Sequence, residues 1–508
     1  MASSAGPAAA ADAAVSLTNL AELYRSQGRF HEAEPLFRQA LEIREEALGP
    51  GHADVAGSMN SLGTLYKSLG RYEEAAELFR RALEIGQAVD PRGECVADSL
   101  NNLADLDSVL GKFEQAEKNY QQALGIRRAV LGPDHPDVAS TLLSLSYVYS
   151  ACGRYAEAED LVNQALTIRV VALGPRDRAV AENLTALADL KKTAGEFLEA
   201  EQLYGRALGI LESTLGPDHP DVADALGGVA SLYSLLGRYA DSEHLHKREL
   251  AIREKAQGEE HRDYAITLAN LANDYYTMRE YDQALKNYER AGEILEKILG
   301  PKHREVAMNM HNRGNLLLAL GKPTEAERLL EKATEILEET LGKDHPDVGW
   351  SLTSLADLRN ALGREAEAEP LYRRALEINE RALGPDHPDV ARALLGLAEA
   401  IRLDDPEEAE KLVQRALAID EKAFGSSHPD VATALSSLAR IRTGQLDWGE
   451  AENLLRRSLS IRESFLGPDH LDVRVTLDEL VHTLRNEGKD EEADALQRRA
   501  DAIRDARS

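Results

Sequence analysis

The chain carries a short motif that recurs every 42 residues, and this periodicity constrains the fold more than any other feature of the sequence. Residues 215–223 read LGPDHPDVA, and near-copies occupy residues 131–139, 299–307, 341–348, 383–391 and 466–473. The glycine of the motif marks the spacing at Gly132, Gly174, Gly216, Gly258, Gly300, Gly342 and Gly384. A fixed period of this length is typical of stacked supersecondary units. We therefore predict one elongated array for the 508 residues, in place of several globular domains.

The motif contains the residues that end one helix and begin the next. Gly216 stands where the chain leaves a helix with a positive φ, which glycine tolerates without steric cost. Pro217 cannot continue that helix, whereas Pro220 suits the first turn of a new one. A helix should therefore end, and another begin, at every copy of the motif.

Each unit holds two helical patterns separated by a tight turn. In the first unit Leu17, Leu20, Ala21 and Tyr24 share one helix face, and Gly28 precedes a second pattern. The anchor of the first pattern recurs as Leu17, Met59, Leu100, Leu142, Leu184, Leu226, Leu268, Met310, Leu352, Leu394, Leu435 and Leu477. Four residues after the anchor, every unit but the last has Ala, Gly or Ser, which lets helix backbones approach closely. Stacked helical hairpins follow from these two patterns.

The twelve anchors define the predicted domain organisation. One continuous array should span residues 12–508, with units starting near residues 12, 54, 95, 137, 179, 221, 263, 305, 347, 389, 430 and 472. Residues 1–11 are rich in alanine and are expected to form a disordered lead-in.

The second unit nearly spells the tetratricopeptide signature W-x2-L-G-x2-Y…A-x3-F. The matching residues are Met59, Leu62, Gly63, Tyr66, Ala75 and Phe79. The chain therefore resembles a tetratricopeptide repeat (TPR) protein, and its long period is similar to that of the kinesin light chain type. The resemblance implies an all-α, right-handed superhelical solenoid, with the first helix of each hairpin lining a concave surface. Kinesin light chains also carry a heptad segment that docks on the motor, and no heptads precede Asp12, so a motor subunit is disfavoured.

Composition excludes several classes of function. The 88 acidic residues outnumber the 59 basic ones, and the net charge of −29 argues against binding to a phosphate backbone. No apolar run approaches the roughly 20 residues needed to span a bilayer. Cys95 and Cys152 lie in different units and predict no disulfide framework. Without a recognisable signal peptide, we expect a cytoplasmic protein with no nucleic-acid partner and no membrane insertion.

The sequence also lacks the signatures of catalysis. A histidine occurs once per unit in most copies of the motif, and stacked hairpins separate successive copies by about 10 Å, too far to share one metal ion. These histidines are better explained as helix-start residues. No nucleophile elbow, zinc-protease motif, phosphate loop or dinucleotide fingerprint is present. We therefore expect no cofactor, no metal and no enzyme activity.

One charged residue interrupts an otherwise apolar ladder in the sixth unit. The ladder reads Ala40, Ala82, Ala123, Ala165 and Ala207 before it reaches Glu249. A buried unpaired carboxylate would be costly. We therefore expect loose packing that lets Glu249 reach water, and Glu249→Ala to raise thermal stability.

The geometry implied by the resemblance places five offsets from each anchor in the concave groove: two before it, and one, five, eight and nine after it. These positions are acidic in units three to six, apolar and amide-rich in units seven to nine, and basic in units ten to twelve. The acidic set is Asp98, Asp105, Glu182, Asp189 and Asp224. The central set is Asn273, Tyr276, Met308, His311, Asn315, Trp350 and Asn360. The basic set is Arg392, Arg402, Arg440 and Arg485.

The central set is the predicted binding site. Tyrosine and tryptophan are enriched in interface hot spots, and asparagine can pair with the backbone of an extended peptide. A bound segment should place basic residues toward the acidic set and acidic residues toward the basic set. The alternative is that Trp350 and Met308 pack against neighbouring helices.

The sequence thus predicts a non-enzymatic scaffold or adaptor that binds an extended peptide of a partner protein. Two alternatives stay open: a kinesin-light-chain-like cargo adaptor, and the regulatory subunit of an enzyme or signalling complex. The expected oligomeric state is a monomer or a weak homo-oligomer formed through the end units.

Overall fold

Twenty-four α-helices, paired as twelve hairpins, form the regular structure of residues 7–505 in this computed structural model. The structure describes the backbone of residues 7–505 and the side chains of residues 11–504. The first helices are α1 (Pro7–Ser26), α3 (Ala53–Ser68), α5 (Glu94–Val109), α7 (Pro136–Ala151), α9 (Arg178–Thr193), α11 (Pro220–Leu235), α13 (Arg262–Thr277), α15 (Arg304–Ala319), α17 (Pro346–Ala361), α19 (Pro388–Ile401), α21 (Pro429–Gly444) and α23 (Leu471–Asn486). The second helices are α2 (Phe30–Leu48), α4 (Tyr72–Val89), α6 (Phe113–Val130), α8 (Tyr155–Leu173), α10 (Phe197–Leu215), α12 (Tyr239–Gln257), α14 (Tyr281–Leu299), α16 (Pro323–Leu341), α18 (Glu365–Leu383), α20 (Pro406–Phe424), α22 (Trp448–Leu466) and α24 (Asp490–Asp505).

These boundaries confirm the predicted all-α array of hairpins. Helix α1 begins at Pro7, so it includes residues that the sequence assigned to the lead-in; residues 1–6 of that lead-in lie outside the described residues. In unit 10 α19 ends at Ile401, and Pro406 occupies the first turn of α20.

The recurring motif acts as the predicted helix punctuation. Gly216 has φ +88° after α10, and Pro220 occupies the first turn of α11. Between them, Nδ1 of His219 accepts a hydrogen bond from the backbone N–H of Asp221 and so caps α11. Histidines cap the first helices of nine units in this way, and Asp177 caps α9. The helix-start role of these histidines is therefore confirmed.

The two helices of each hairpin meet across the small residues that follow the anchors. Gly63 on α3 faces Phe79 on α4 so closely that a Cβ atom at Gly63 would lie 2.5 Å from the phenyl ring. Gly314 faces Leu330 in the same manner at 2.9 Å. First helices of adjacent units, such as α3 with α5 and α9 with α11, also contact one another. The first helices therefore form the inner layer of the solenoid, and the second helices lie outside it.

Six units complete one superhelical turn, and successive turns touch. Nε2 of His345, which caps α17 in unit 9, lies 3.0 Å from the carbonyl oxygen of Val109 at the end of α5 in unit 3. The capping histidines His261, His303, His387 and His428 bond in the same way to the backbone of Ser26, Ser68, Ala151 and Thr193. Each bond gives a donor to a helix-terminal carbonyl group that has no partner within its own helix. We call this line of contacts between units 1–5 and units 7–11 the seam.

In the first superhelical turn, the loop between the two helices of a hairpin needs glycine for two reasons. Gly28 has φ +70°, and a Cβ atom there would lie 2.9 Å from Cδ2 of His261 across the seam. In unit 8 the equivalent Gly321 has positive φ but nothing within 4 Å. Units 7 and 11 place Arg279 and Leu446 at this position, both with φ 63°. Unit 10 is the exception among the described units, because its turn between Ile401 and Pro406 has no residue with positive φ. The backbone conformation is thus kept in the other units, whereas the close approach belongs to the seam.

The seam separates buried from exposed histidines. In the first superhelical turn, the side chains of His52 and His135 are 45% and 40% exposed. In the second superhelical turn, the side chain of His345 is 6% exposed. Burial lowers the pKa of His261, His303, His345, His387 and His428. Because Nδ1 accepts a backbone hydrogen bond, the neutral ring carries its proton on Nε2, which makes Nε2 the donor across the seam.

The expectation for Glu249 is wrong. Its residue is only 3% exposed, and the carboxylate is fully paired. Oε1 accepts hydrogen bonds from Arg253 at 2.8 Å and from Thr267 Oγ1 at 2.7 Å, and Oε2 lies 3.0 Å from His246 Nδ1. Arg253 is one helical turn away on α12, so the pair could form locally without loosening the contact between helices.

We predict that His345→Asn lowers the unfolding free energy by about 1–2 kcal/mol, because asparagine can cap α17 but cannot reach the carbonyl group of Val109. His135→Asn is the matched control, because His135 caps an equivalent HPDV sequence and is exposed. His135→Asn should change the free energy of unfolding by no more than about 0.5 kcal/mol. Urea unfolding followed by circular dichroism measures the free energy of unfolding of both variants. If both variants lost the same amount, the bond across the seam would contribute nothing to stability.

The burial of His345 at the seam predicts a pH dependence. The pKa of His345 is lowered in the folded protein. The contribution of His345 to the free energy of unfolding is therefore complete above its pKa in the unfolded chain, about 6.5, and is lost as the pH falls through its pKa in the folded protein. The difference between the two asparagine variants should therefore shrink on acidification. A difference that is constant between pH 8 and pH 5 would contradict this assignment.

We predict that Glu249→Ala destabilises the protein by about 3 kcal/mol, because it removes one of the two carboxylates that lie 2.8 Å from the buried Arg253 guanidinium. Glu254→Ala, on the exposed face of the same helix, is the control. The midpoint of thermal unfolding should fall in Glu249→Ala and stay close to that of the wild type in Glu254→Ala. An unchanged or raised midpoint for Glu249→Ala would restore the idea of a water-exposed carboxylate.

Candidate functional site

The central set lies on the first helices α13, α15 and α17 of units 7–9. Tyr276 is 37% exposed, and Asn273 is exposed beside it on α13. The Oδ1 atom of Asn273 accepts a hydrogen bond from the hydroxyl group of Tyr288, which fixes the orientation of its amide. Met308, Asn315, Trp350 and Asn360 are half-buried. All but one member of the set therefore present surface to a ligand.

The exception is His311, which is completely buried. Its ring stacks against Trp350 with 3.6 Å between ring centroids and 28° between ring planes. Burial lowers the pKa of His311 to about 3, and neither ring nitrogen has a hydrogen-bond partner among the described residues. The sequence placed His311 on the groove surface, whereas the structure places it beneath Trp350. Its role is to support the indole ring.

The acidic set is held by cations and tyrosines. Asp98 pairs with Arg127 at 2.6 Å, and Glu182 pairs with Arg169 at 2.7 Å. Asp224 pairs with Arg253 at 2.8 Å. Asp105 and Asp189 accept hydrogen bonds from the hydroxyl groups of Tyr120 and Tyr204 and also pair with Lys67 and Lys192. The five carboxylates are therefore oriented and partly neutralised by the protein itself.

Tyr147 escaped the sequence prediction, although it occupies the same offset from its anchor as Asp105 and Asp189. It lines a cavity of about 550 Å³ together with Glu182, Thr185 and Asp224. Tyr147 is 52% exposed, yet desolvation raises the pKa of its hydroxyl group to about 12. Desolvation likewise raises the pKa of Asp224, whose side chain is 67% exposed. Both groups are accessible to water although protein surrounds them, which is consistent with an enclosed concave surface. We call the space inside this surface the lumen.

The basic set is also balanced by neighbouring carboxylates. Arg392 lies 3.5 Å from Asp389, and Arg402 bonds to Glu399 at 2.8 Å. Arg440 lies between two carboxylates, those of Glu399 at 3.6 Å and Glu479 at 3.7 Å. Arg485 lies 3.4 Å from Asp494 on α24.

The winding of the chain changes how these sets relate to one another. Because each unit contacts the unit six positions later, units 4 and 5, in the acidic part of the groove, lie beside units 10 and 11, in its basic part. The sequence arranged the three sets in line along an open groove. In the structure unit 5 of the acidic part and unit 11 of the basic part lie on the same side of the superhelical axis, one turn apart, whereas unit 3, which carries Asp98 and Asp105, lies one turn from unit 9 of the central set.

Among the side chains that the structure describes, no three His, Cys, Asp or Glu residues are placed to hold one metal ion. Within residues 7–505, no helix combines the length and apolar character that crossing a bilayer requires.

Sequence comparison assigns the chain to a family. The tetratricopeptide repeat profile matches residues 12–88, 95–170, 177–255, 222–297, 263–339, 305–380, 347–422, 400–464 and 430–506. The chain therefore belongs to the tetratricopeptide repeat family, whose solenoids present extended concave surfaces to protein partners. The resemblance predicted from the sequence is confirmed. A search of curated proteins found no match.

Solved structures of the kinesin light chain type are similar to this chain. A putative kinesin light chain of Podosopora anserina, with nearly identical TPR-like repeats, is 27% identical with a TM-score of 0.33; the match covers 40% of this chain and 96% of that one. BtubC (BKLC) of P. vanneervenii is 24% identical with a TM-score of 0.38, and the match covers 46% of this chain and 92% of that one.

We predict that Trp350→Ala exposes His311 to solvent. Carbethoxylation by diethyl pyrocarbonate, read residue by residue with mass spectrometry, should modify His311 at least about tenfold faster in the variant than in the wild type. His52, which is exposed in both proteins, is the internal reference. If wild-type His311 reacted as fast as His52, the indole ring would not cover it.

Proposed function

We propose that the protein is a non-enzymatic scaffold or adaptor that binds an extended peptide segment of a partner protein in its concave lumen, centred on units 7–9. The observation that carries the proposal is the exposure of Tyr276 and the partial exposure of Trp350 on the inner helix layer of an interaction-repeat array. Large aromatic surface left open on a concave face is typical of protein-binding sites.

The surroundings of Trp350 support its role as an anchor. The ring stacks on His311, which is itself immobilised by complete burial. A rigid side chain loses little conformational entropy when a ligand packs against it, so more of the contact energy contributes to affinity. The amides of Asn273, Asn315 and Asn360 supply donors and acceptors for a peptide backbone.

The net charge of −29 disfavours nucleic acid as the partner and favours a protein. We propose a cytoplasmic protein, monomeric or weakly self-associating, whose groove recruits a partner without acting on it chemically. The TPR fold supports this assignment, since it is typically an interaction scaffold.

The test compares partner capture by the wild type and by a Tyr276→Ala, Met308→Ala, Trp350→Ala variant of equal helicity. Partners that bind through the lumen should be lost from the variant, with affinities falling at least about 30-fold for a hot-spot cluster. A captured partner is then reduced to its shortest binding peptide, and the dissociation constant is measured for both proteins.

The control variant carries three substitutions of exposed apolar residues on second helices, Val130→Ala, Val171→Ala and Leu198→Ala. It should retain every partner. If the groove variant and the control capture the same set as the wild type, recognition does not use units 7–9.

A further inference from the structure

We propose that the seam closes the lumen from the side, and that a peptide partner enters when the seam opens at units 4–5 and 10–11. This inference rests on the proposed function, because it concerns access to the same groove. Units 1–3 and 7–9 stay joined and form the hinge, while the contact between units 4–5 and units 10–11 separates.

The seam is continuous over five consecutive pairs of units. Each pair has a capping histidine of the second turn that bonds to a helix-terminal carbonyl group of the first turn. Because the inner helices line the superhelical axis, contact between successive turns converts an open groove into a channel. The desolvated but water-accessible Tyr147 and Asp224 fit such a channel.

The two halves of the seam are built differently. Units 1–3 and 7–9 share one apolar core cluster, to which Phe30 and Tyr72 of the first turn and Val306 and Val348 of the second belong. In the described residues of units 4–5 and 10–11, no apolar cluster joins the two turns. The first half therefore resists separation, because opening it would expose apolar surface to water.

The second half is joined by a short stack of rings, which we call the latch. Tyr155 stacks on Phe424 at 5.6 Å, and Phe197 meets Phe465 edge-on at 4.7 Å. His428 lies between them, 4.3 Å from Phe424 and 5.5 Å from Phe465. These five rings join the two turns in this half of the seam, beside the histidine bonds.

Packing beside the latch is incomplete. A cavity of about 400 Å³ lies at the contact of units 4 and 10, between residues 152–157 and residues 383–387. Among the described side chains, no ion pair joins units 1–5 to units 7–11, although ion pairs between adjacent units are frequent. Separating the turns here breaks few contacts, so the latch side is the part of the seam that opens at low cost.

The test measures access to the lumen with thiol reagents and needs no partner protein. Cys95→Ser and Cys152→Ser remove the native thiols, and Tyr147→Cys places one thiol in the lumen. N-ethylmaleimide and a long-chain polyethylene glycol maleimide are the small and large probes. Val171→Cys, at a 78% exposed site on α8, is the control for intrinsic reactivity.

In the closed protein the large probe should react with Tyr147→Cys at least about tenfold more slowly than with Val171→Cys, because labelling follows the population of the open state. Adding Phe424→Ala and Phe465→Ala should remove most of that difference and leave the rate with N-ethylmaleimide nearly unchanged. The variant Tyr155→Ala, Phe197→Ala removes the latch rings that belong to the first superhelical turn. It should change the labelling rates in the same way as Phe424→Ala with Phe465→Ala, provided that both variants keep wild-type helicity.

Two outcomes would overturn the proposal. Equal rates of the large probe at the two thiols in the intact seam would show that the lumen is open from the side. If the large probe still reacted slowly with Tyr147→Cys in both latch variants, opening of the latch would not control access, and polymer chains would reach the lumen along its axis. Neither outcome bears on whether units 7–9 bind a peptide, and loss of partners from the groove variant leaves the closure of the seam standing.

Discussion

In five consecutive units a histidine uses both nitrogens of one ring: Nδ1 accepts the amide that begins a helix, and Nε2 donates to the carbonyl group that ends a helix one superhelical turn earlier. The bond requires glycine opposite the ring, as Gly28 shows against His261. It fixes the pitch, because unit and partner must stand six positions apart. The closed lumen, the burial of histidines in the second turn and the desolvation of exposed groups such as Asp224 all depend on that pitch.

The hairpins could be predicted from the sequence because their signals are local. The glycine and proline of the motif, the anchor leucines and the small residues each act within one or two units. The seam could not be predicted in the same way, since it joins residues such as Val109 and His345 that lie 236 positions apart, and a period does not state how many units make a turn. A signal was nevertheless present. The first residue of the second helix is aromatic in units 1–7 and in unit 11, whereas it is proline or an acidic residue in units 8, 9, 10 and 12, as Pro323, Glu365, Pro406 and Asp490.

The candidate site was predictable as a surface but not as a set of contacts. The offsets from each anchor placed Tyr276 and Asn273 on the exposed inner face, and the same offsets place Tyr147 there. Depth was not predictable, because whether His311 lies above or below Trp350 depends on side-chain packing between two adjacent units. Glu249 shows the same limit: its partner Arg253 was visible four residues later, yet only packing shows that both are buried.

The superposition of the two turns changes what a ligand can recognise. If the groove were straight, a bound segment would meet acidic side chains at one end and basic ones at the other, and its orientation would follow from its own charge gradient. In the two-turn lumen, Glu182 of unit 5 and Arg440 of unit 11 lie on the same side of the axis and one turn apart along it, because those units are joined by Phe197 and Phe465. Opposite charges then differ in position along the axis more than in direction around it. A segment in the lumen would therefore be oriented by a charge gradient that spans one superhelical turn, and both of its charged blocks would lie on the face turned toward units 5 and 11.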